Sequence, residues 1–393
     1  MNQFSEFADA ATQAHKEVSA APEFSRFAVL GGGADAQLLS ALCLAEGAEV
    51  TLFSAYGAEL DALRNASGIS LRGTGPVGTY QVDREAAPSV RTTGQLDQAV
   101  ANAQVIFLTG PVHKQRTYAM VLADHLLDGQ VLVLAPGRSL GALETAWLLR
   151  IGGCTADVTI VEAQGLPFWM VAEGVVLHLT QAAPCAAATL PSGRGHVLEG
   201  LAKVLPNLDA RLSVVSSGFA DGSALVEFPA LLMSGPALGS GAIPVPMGGK
   251  PLPQNESFRS LIGPEQERVI ENLADERAAV ASAFGERGCP TAGEMIETYA
   301  GALKGEGRRP IPDQKAAKSL LRDGVIGSLV PLVSAARMSG VPVPVTQSMI
   351  TLAEAVLGAD VATAGRKLET IGIEATTTES ARQAMDAIAG GRR

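Results

Sequence analysis

Aromatic side chains are scarce in this chain: Phe, Tyr and Trp make up 4% of its 393 residues. A core without them relies on aliphatic side chains, and 43 glycines beside abundant alanine suit close helix packing and tight turns. Charge is thin as well, 18% against 47% hydrophobic residues, which excludes a disordered chain and describes large globular cores. Cations are in deficit, and a net charge of −10 argues against nucleic acid or an anionic membrane as the main partner. The four cysteines, Cys43, Cys154, Cys185 and Cys289, form no CxxC pair. Their spacing fits neither a zinc site nor a disulfide framework, so no metal is expected and they read as buried thiols. No run approaches the ~18 apolar residues of a membrane span. Residues 1–26 carry Glu6, Asp9, Glu17 and Glu23 and lack a hydrophobic signal core, so a helical N-terminal extension and a cytoplasmic location are expected.

A chain this long exceeds the roughly 250–300 residues at which single cores stop growing, so two domains are expected. Phe27–Gly31 is an apolar run that breaks into glycines, Ala36–Ala45 is Ala/Leu-rich and helical, and Glu49–Ser54 is a second strand. The alternation continues: a helix at Gln95–Ala103, a strand at Val105–Thr109, a helix at Lys114–Leu127, a strand at Val131–Ala135, a helix at Leu140–Ile151 and a strand at Val158–Glu162. Such alternation predicts an α/β fold with a doubly wound parallel sheet. Gly174–Thr180 and Leu212–Ser216, flanking a helix at Gly193–Val204, are expected to extend that sheet. After about Ser217 helices take over, at Ser223–Leu232, Pro264–Phe284, Thr291–Leu303, Val325–Met338 and Val345–Leu357. The expected organisation is therefore a Rossmann domain over 27–217 and an all-α domain over 218–393. Gly239–Asn255, rich in Gly and Pro, is either a stiff connector or a loop over the cleft.

Gly31-Gly32-Gly33-Ala34-Asp35-Ala36 fits G-x-G-x-x-A between a strand and a helix. Gly31 permits the tight turn, Gly33 lets backbone N–H groups approach a pyrophosphate, and Ala36 lets the helix pack on the strand, its N-terminus facing the anion. This βαβ context makes the motif a candidate dinucleotide site, with Gly110 and Pro111 at the neighbouring strand end. NAD binders usually end the second strand in a carboxylate that accepts from the ribose hydroxyls; here that position holds Ser54. The cofactor is read as NAD or NADP, with a slight lean to NADP, although Arg64 is the nearest downstream arginine able to pair with a 2′-phosphate.

From Phe27 to Ile373 the sequence resembles the octopine/nopaline (opine) dehydrogenase family. Its marks here are the glycine motif, Gly110-Pro111-Val112-His113, and GQVLVLAPGRSLGALE (Gly129–Glu144). Further on come ADERAAVASAFG (Ala274–Gly285), the segment from Ser328 to Asp360, and GRKLETIGI (Gly365–Ile373). The resemblance implies a Rossmann domain coupled to a helical substrate domain, and reduction by NAD(P)H of the imine formed between an amino acid and a 2-oxo acid. It also implies a catalytic His, an Asp that orients it, and an Arg for substrate carboxylate. At those places this chain puts Leu232, Gly324 and Val171. Because a buried Asp without its His is an uncompensated charge, joint loss of the pair is the coherent reading.

Other groups remain for chemistry. His113 ends a parallel strand, where ligands bind in such sheets, and matches a family histidine beside the nicotinamide; His15, His125, His178 and His196 read as surface or helix residues. Glu162, at the same sheet edge, is a candidate base if burial raises its pKa, with Gln164 beside it to position a ligand. Glu227 and Asp323 are candidate replacements for the missing pair. Lys318, Arg308 and Arg309 read as solvated helix faces, whereas Arg322 is a candidate for an anionic substrate. Trp169 and Phe168 read as domain-interface packing. The leading expectation is an NAD(P)-dependent oxidoreductase acting on a small imine, carbonyl or alcohol in the interdomain cleft, with a small-molecule substrate other than an ordinary opine, and a possible homodimer. The alternatives are a non-catalytic dinucleotide- or metabolite-binding protein, and a lyase, isomerase or hydrolase using the same cleft.

Overall fold

In the computed structural model, residues 21–85, 87–234 and 257–390 are described. The expected N-terminal helix and the Gly239–Asn255 segment fall outside the described residues, except that residues 21–25 lead into the first strand without helix. The first domain is built on β1 (Arg26–Leu30), α1 (Ala34–Ala45), β2 (Glu49–Phe53), α2 (Gly57–Ala66), β3 (Gly68–Gly73), β4 (Gly78–Gln81), β5 (Val90–Thr93) and α3 (Leu96–Val100). It continues with β6 (Val105–Leu108), α4 (Val112–Leu122), β7 (Val131–Leu134), α5 (Gly141–Ile151), β8 (Thr159–Ala163), β9 (Phe168–Glu173) and β10 (Val176–Gln181). After these come β11 (Cys185–Leu190), α6 (His196–Leu201), β12 (Leu208–Ala210) and α7 (Val214–Ala220).

The main sheet has the order β12-β11-β8-β7-β6-β1-β2-β5. Its neighbours from β5 to β8 run parallel, and β11 is antiparallel to β8. The apolar runs of β1, β6 and β7 are buried on both faces because helices cover both sides. Side chains alternate between two cores: Ala28 and Leu30 pack with α5 residues on one face, Phe27 and Val29 with α1 residues on the other. Each fully buried aliphatic there contributes about 1.5–3 kcal/mol.

Two expectations about the sheet need correction. Gly174–Thr180 corresponds to β10, which belongs to a separate sheet of order β4-β3-β10-β9. Leu212–Ser216 is not a strand: Leu212 is 92% exposed, and Ser213 caps α7 by accepting from the Ser216 amide. The main sheet is extended instead by the small-residue strand β11 and by β12.

The helical part comprises α8 (Ser223–Met233), α9 (Pro264–Ala283), α10 (Ala292–Ala300), α11 (Gln314–Gly324), α12 (Val330–Ser339), α13 (Pro344–Leu357) and α14 (Thr378–Ala389). Helix α8 is apolar and buried on nearly every side, so it forms the centre of this part, with α9, α10, α11 and α13 against it. A π turn over Val325–Leu329 joins α11 to α12. The continuous helix Gln314–Ser339 is long and apolar enough to cross a membrane, but 67% of its apolar window is buried inside the protein, as in a core helix. Ser217 lies inside α7, and Asp221–Gly222 separates α7 from α8. The last helix bridges the two parts: Ala381, Met385 and Ala389 of α14 join a core that holds Leu132 and Leu143 of the first domain together with Val280 of α9 and Leu332 of α12.

Candidate functional site

Sheet order reverses between β1 and β6, the place where open α/β sheets open a crevice at their carboxyl ends. The turn after β1 lies there. Gly31 has φ +135°, and its N–H donates to Phe53 O at 2.8 Å; a Cβ on it would sit 2.3 Å from Thr109 Oγ1. Gly33, by contrast, has nothing within 4 Å of an added Cβ, so the start of α1 is open. No side chain caps α1, which leaves its first amides available to an anion. Ala36 is fully buried 3.8 Å from the Cβ position of Gly31, as close helix–strand packing needs, while Ala34 and Asp35 are partly exposed in the first turn. Gly110, with φ +79° and open space around it, and Pro111, which precedes α4, form the neighbouring strand end.

Ser54 is buried at the end of β2 and fully engaged: it donates to Glu59 Oε2 at 2.5 Å and accepts from the Tyr56 amide at 3.1 Å. Glu59 reaches back from the first turn of α2, so that a Cβ on Gly32 would meet its Oε2 at 1.9 Å. Sequence reasoning missed this carboxylate because it assigned no helix after β2. Arg64 is committed elsewhere, to Asp83 and Thr92 at 3.0 Å each.

The opposite wall centres on Arg138, also missed as a site residue although it follows β7 at the same sheet edge. Its backbone has φ +60°, uncommon for a residue with a side chain and a mark of local strain. Its guanidinium contacts Ser223 Oγ and lies 3.7 Å from Glu227. Burial alone would lower its pKa, but Glu227, Asp221 and Asp323 keep it raised and charged. Asp221 accepts from Ser223, Ser328 and Ser139; burial pushes its carboxyl up, but Arg138, Arg277 and these hydroxyls hold it below the ordinary range. Glu227 is paired with Arg309 at 2.6 Å, and Arg309 stacks 4.2 Å over Phe258. Arg309 is thus buried rather than a solvated cation, the reverse of its sequence reading. Burial raises the Asp35 and Asp323 carboxyls to about 6 each, against the pull of Arg138. Three polar atoms of this wall have no hydrogen-bond partner: Arg138 Nε, Glu227 Oε2 and Asp323 Oδ1. The π turn brings the helical part against this loop, since the Ser139 amide donates to Gly327 O at 2.9 Å and a Cβ on Gly327 would lie 2.9 Å from Arg138 Cβ.

The remaining sequence candidates divide. His113 is largely exposed at the start of α4; partial desolvation of its ring and the cations Lys114, Arg322 and Arg116 lower its pKa, so it is neutral near pH 7. Arg322 is exposed and close enough to act on it. Glu162 is completely enclosed and accepts from the Ala142 amide at 2.9 Å, Ser217 Oγ at 2.7 Å and Gln164 Nε2 at 3.0 Å. Burial raises its pKa to about 7 despite those donors. Gln164 is equally enclosed, donating to Arg138 O and Ser217 as well, so both residues brace the walls from behind instead of facing the cleft. Leu232 is 8% exposed in the helical core, and a Cβ on Gly324 would collide with Phe228 of α8 at 2.5 Å. Val171 is an exposed residue of β9. Trp169 packs against Gly301 of the helical part. Cys43 and Cys185 are buried and Cys154 and Cys289 half-buried, all with free thiols. Among the described residues no cluster of three or more His, Cys, Asp or Glu is placed to hold a metal ion.

No family model matches the chain. It is 25% identical over 378 residues to the opine dehydrogenase of Arthrobacter sp. (strain 1C), covering 93% of this chain and 99% of that protein. Octopine dehydrogenase in complex with NADH and pyruvate superposes with a TM-score of 0.64 at 17% identity, over 94% of this chain and 98% of the other. Yersinopine dehydrogenase with NADP+ gives 0.57 at 13% identity over 94% and 98%. A ketopantoate reductase from Ralstonia eutropha JMP134 gives 0.57 at 17% identity over 84% and 98%. The resemblance to opine dehydrogenases thus extends over almost the whole chain, and the two-domain fold is shared with the ketopantoate reductase.

Proposed function

We propose that this chain is a nicotinamide-dinucleotide-dependent oxidoreductase that acts on a small imine, carbonyl or alcohol between the glycine turn and the Arg138 wall. The single observation that carries the reading is the open face of Gly33 at an uncapped helix start, two residues before Asp35, which feels the charge of Arg138 and acts in turn on Asp323. The likeness to an opine dehydrogenase, and to structures holding NADH or NADP+, supports it. The residues fit such a cofactor: a bare glycine turn for the diphosphate, an engaged carboxylate beside it, and a strand end at Gly110 and Pro111. When bound, the cofactor supplies or accepts a hydride.

The chain's own residues do the rest. The first amides of α1 bind the diphosphate, and closure of the two walls excludes water. Asp323, with a carboxyl near 6 and one free oxygen, holds and moves a proton close to neutral pH. Arg138 and Arg309 both pair with Glu227, and the carboxyl groups Asp35, Asp221, Glu227 and Asp323 outnumber the guanidiniums Arg138, Arg277 and Arg309. That excess suits a substrate bearing an amine or iminium nitrogen. His113, neutral, orients substrate by a hydrogen bond.

Fluorescence titration with NADH and NADPH, followed by a turnover panel of amines paired with 2-oxo acids, tests the reading. Cofactor binding is expected, with oxidation that needs both panel partners, and Asp323→Asn should lower kcat while cofactor Kd stays fixed. Failure to bind either nucleotide ends the proposal. A second reading, a non-catalytic dinucleotide binder, is favoured by the apolar burial of Leu232 and Gly324; tight binding with no turnover across the panel would select it.

A further inference from the structure

The loss of an acidic residue at the end of β2 points, in sequence, away from an unphosphorylated ribose. The folded chain refills that place from a different element. Glu59 enters from the first turn of α2, five residues past Ser54, and its carboxylate lies between the end of β2 and the backbone of Gly32. Ser54 fixes it there by donating at 2.5 Å, and the Tyr56 amide fixes Ser54 in turn. The carboxylate is half-buried, with one oxygen held by Ser54 and no other hydrogen bond to the Glu59 side chain among the described residues. Tyr56, 57% exposed, flanks the place on one side, and Tyr118 feels the charge of Glu59 on another: burial chiefly, and then Glu59 and Tyr56, raise its pKa. A fixed acceptor beside a glycine turn, with the exposed Tyr56 ring close by, suits a nucleoside.

We infer that Glu59, held by Ser54, is the acceptor for the adenosine ribose hydroxyls, and that this chain therefore selects NADH over NADPH. A carboxylate accepts hydrogen bonds from both vicinal hydroxyls of a ribose, and it repels a 2′-phosphate at the same spot. The nearest arginine downstream of Ser54, which a 2′-phosphate would need, is engaged elsewhere. Arg64 is bound to Asp83 and Thr92, with Asp61 near it at 3.6 Å. Lys114 lies 4.8 Å over the Tyr56 ring. The inference rests on the dinucleotide reading above, and it identifies Ser54 as a positioning residue for the acid.

Isothermal titration with NADH and NADPH separates the possibilities without any turnover. The wild-type chain is expected to bind NADH at least about tenfold more tightly than NADPH, the scale of a charged hydrogen bond plus a like-charge penalty. Glu59→Gln should weaken NADH and strengthen NADPH so that the ratio collapses toward one, with an unchanged far-ultraviolet circular dichroism spectrum. Ser54→Ala, which frees the carboxylate without removing it, should lower the NADH preference by less. Equal affinities in the wild-type chain, or a Glu59→Gln variant with the original ratio, would overturn this inference and leave the dinucleotide reading standing. Binding of neither nucleotide would overturn both.

Discussion

One wall of the cleft is made of six consecutive residues, Gly31 to Ala36, whereas the other is made of Arg138, Asp221, Glu227 and Asp323, drawn from segments scattered over nearly two hundred positions. The first works by absence: it has no side chain at Gly33 and no cap on α1, so its donors stay open. The second works by excess, with buried charges that neutralise one another and leave three polar atoms over. A wall of bare backbone tolerates the lack of a partner because water solvates it. A wall of buried charge does not, so stability and function are coupled there and are separable at the turn.

Removing Arg138 is the harshest way to break that contrast. Arg138→Met leaves Glu227 and Asp221 short of their cation inside the protein, and breaking a buried pair in this way costs about 3–5 kcal/mol. Urea denaturation should show a loss on this scale, and a loss under about 1 kcal/mol would mean that the wall is wetter than its burial implies. The bracing carboxylate behind the wall carries the next effect. Glu162 titrates at about 7 in the folded chain against an ordinary 4.5, so between those values the native state holds the extra proton. Stability should therefore fall as pH rises through that window and level off above it, by about 3 kcal/mol at most for Glu162. Asp35 and Asp323, raised to about 6, act in the same direction. Asp221, held low, contributes stability that is lost only in stronger acid. Glu162→Gln should lose less stability than wild type between about pH 5 and about pH 8, and parallel profiles would remove Glu162 from the account.

At the turn the expected pattern inverts. Gly33→Asp meets open space, so the denaturation midpoint should hardly move, yet a negative charge at the helix start should weaken dinucleotide binding by about tenfold to a hundredfold. A variant that unfolds, or that binds as before, would show that the two walls do not differ in the way described.

The same contrast explains what was legible in the sequence. The glycine turn, the buried strands β1, β6, β7 and β8 and helix α8 are local patterns, and residue order along the chain is enough to read them. β11 escaped because CAAATL has small side chains and a weak strand signal, and because it runs antiparallel beside β8, which a rule of alternating strands and helices does not generate. Glu59 and Arg138 escaped for a different reason. Each matters through a partner distant along the chain or on an unassigned element, and an isolated glutamate or arginine in sequence reads as a solvated charge. Arg138 had one available clue, its place in a Gly/Ser-containing loop at the carboxyl end of a buried strand. Arg366, in the motif GRKLETIGI, shows the limit of motif reading: it ties Glu144 at 2.6 Å and the carbonyls of Gly137 and Ser139, so its role is to fasten the loop that carries Arg138.

The smallest expected effect lies at the rim, where Arg322 is exposed and so contributes little to stability; Arg322→Gln should change it by no more than about 0.5 kcal/mol. What it should change is His113. Partial desolvation of the ring comes first among the causes that depress the His113 pKa, and the charges of Lys114, Arg322 and Arg116 follow. Deleting one of those charges moves the imidazole titration upward while the partial desolvation of the ring is unchanged, and proton chemical shifts of the ring followed against pH would record it. Salt should shrink the shift, because solvent and ions screen a charge at the rim but not the partial desolvation of the ring. If His113 titrates identically in both proteins at low salt, Arg322 is turned toward water, and the cleft has no cation at its mouth to meet an anionic substrate. If it moves, rim and wall share one field, and the contrast between them is one of depth and not of kind.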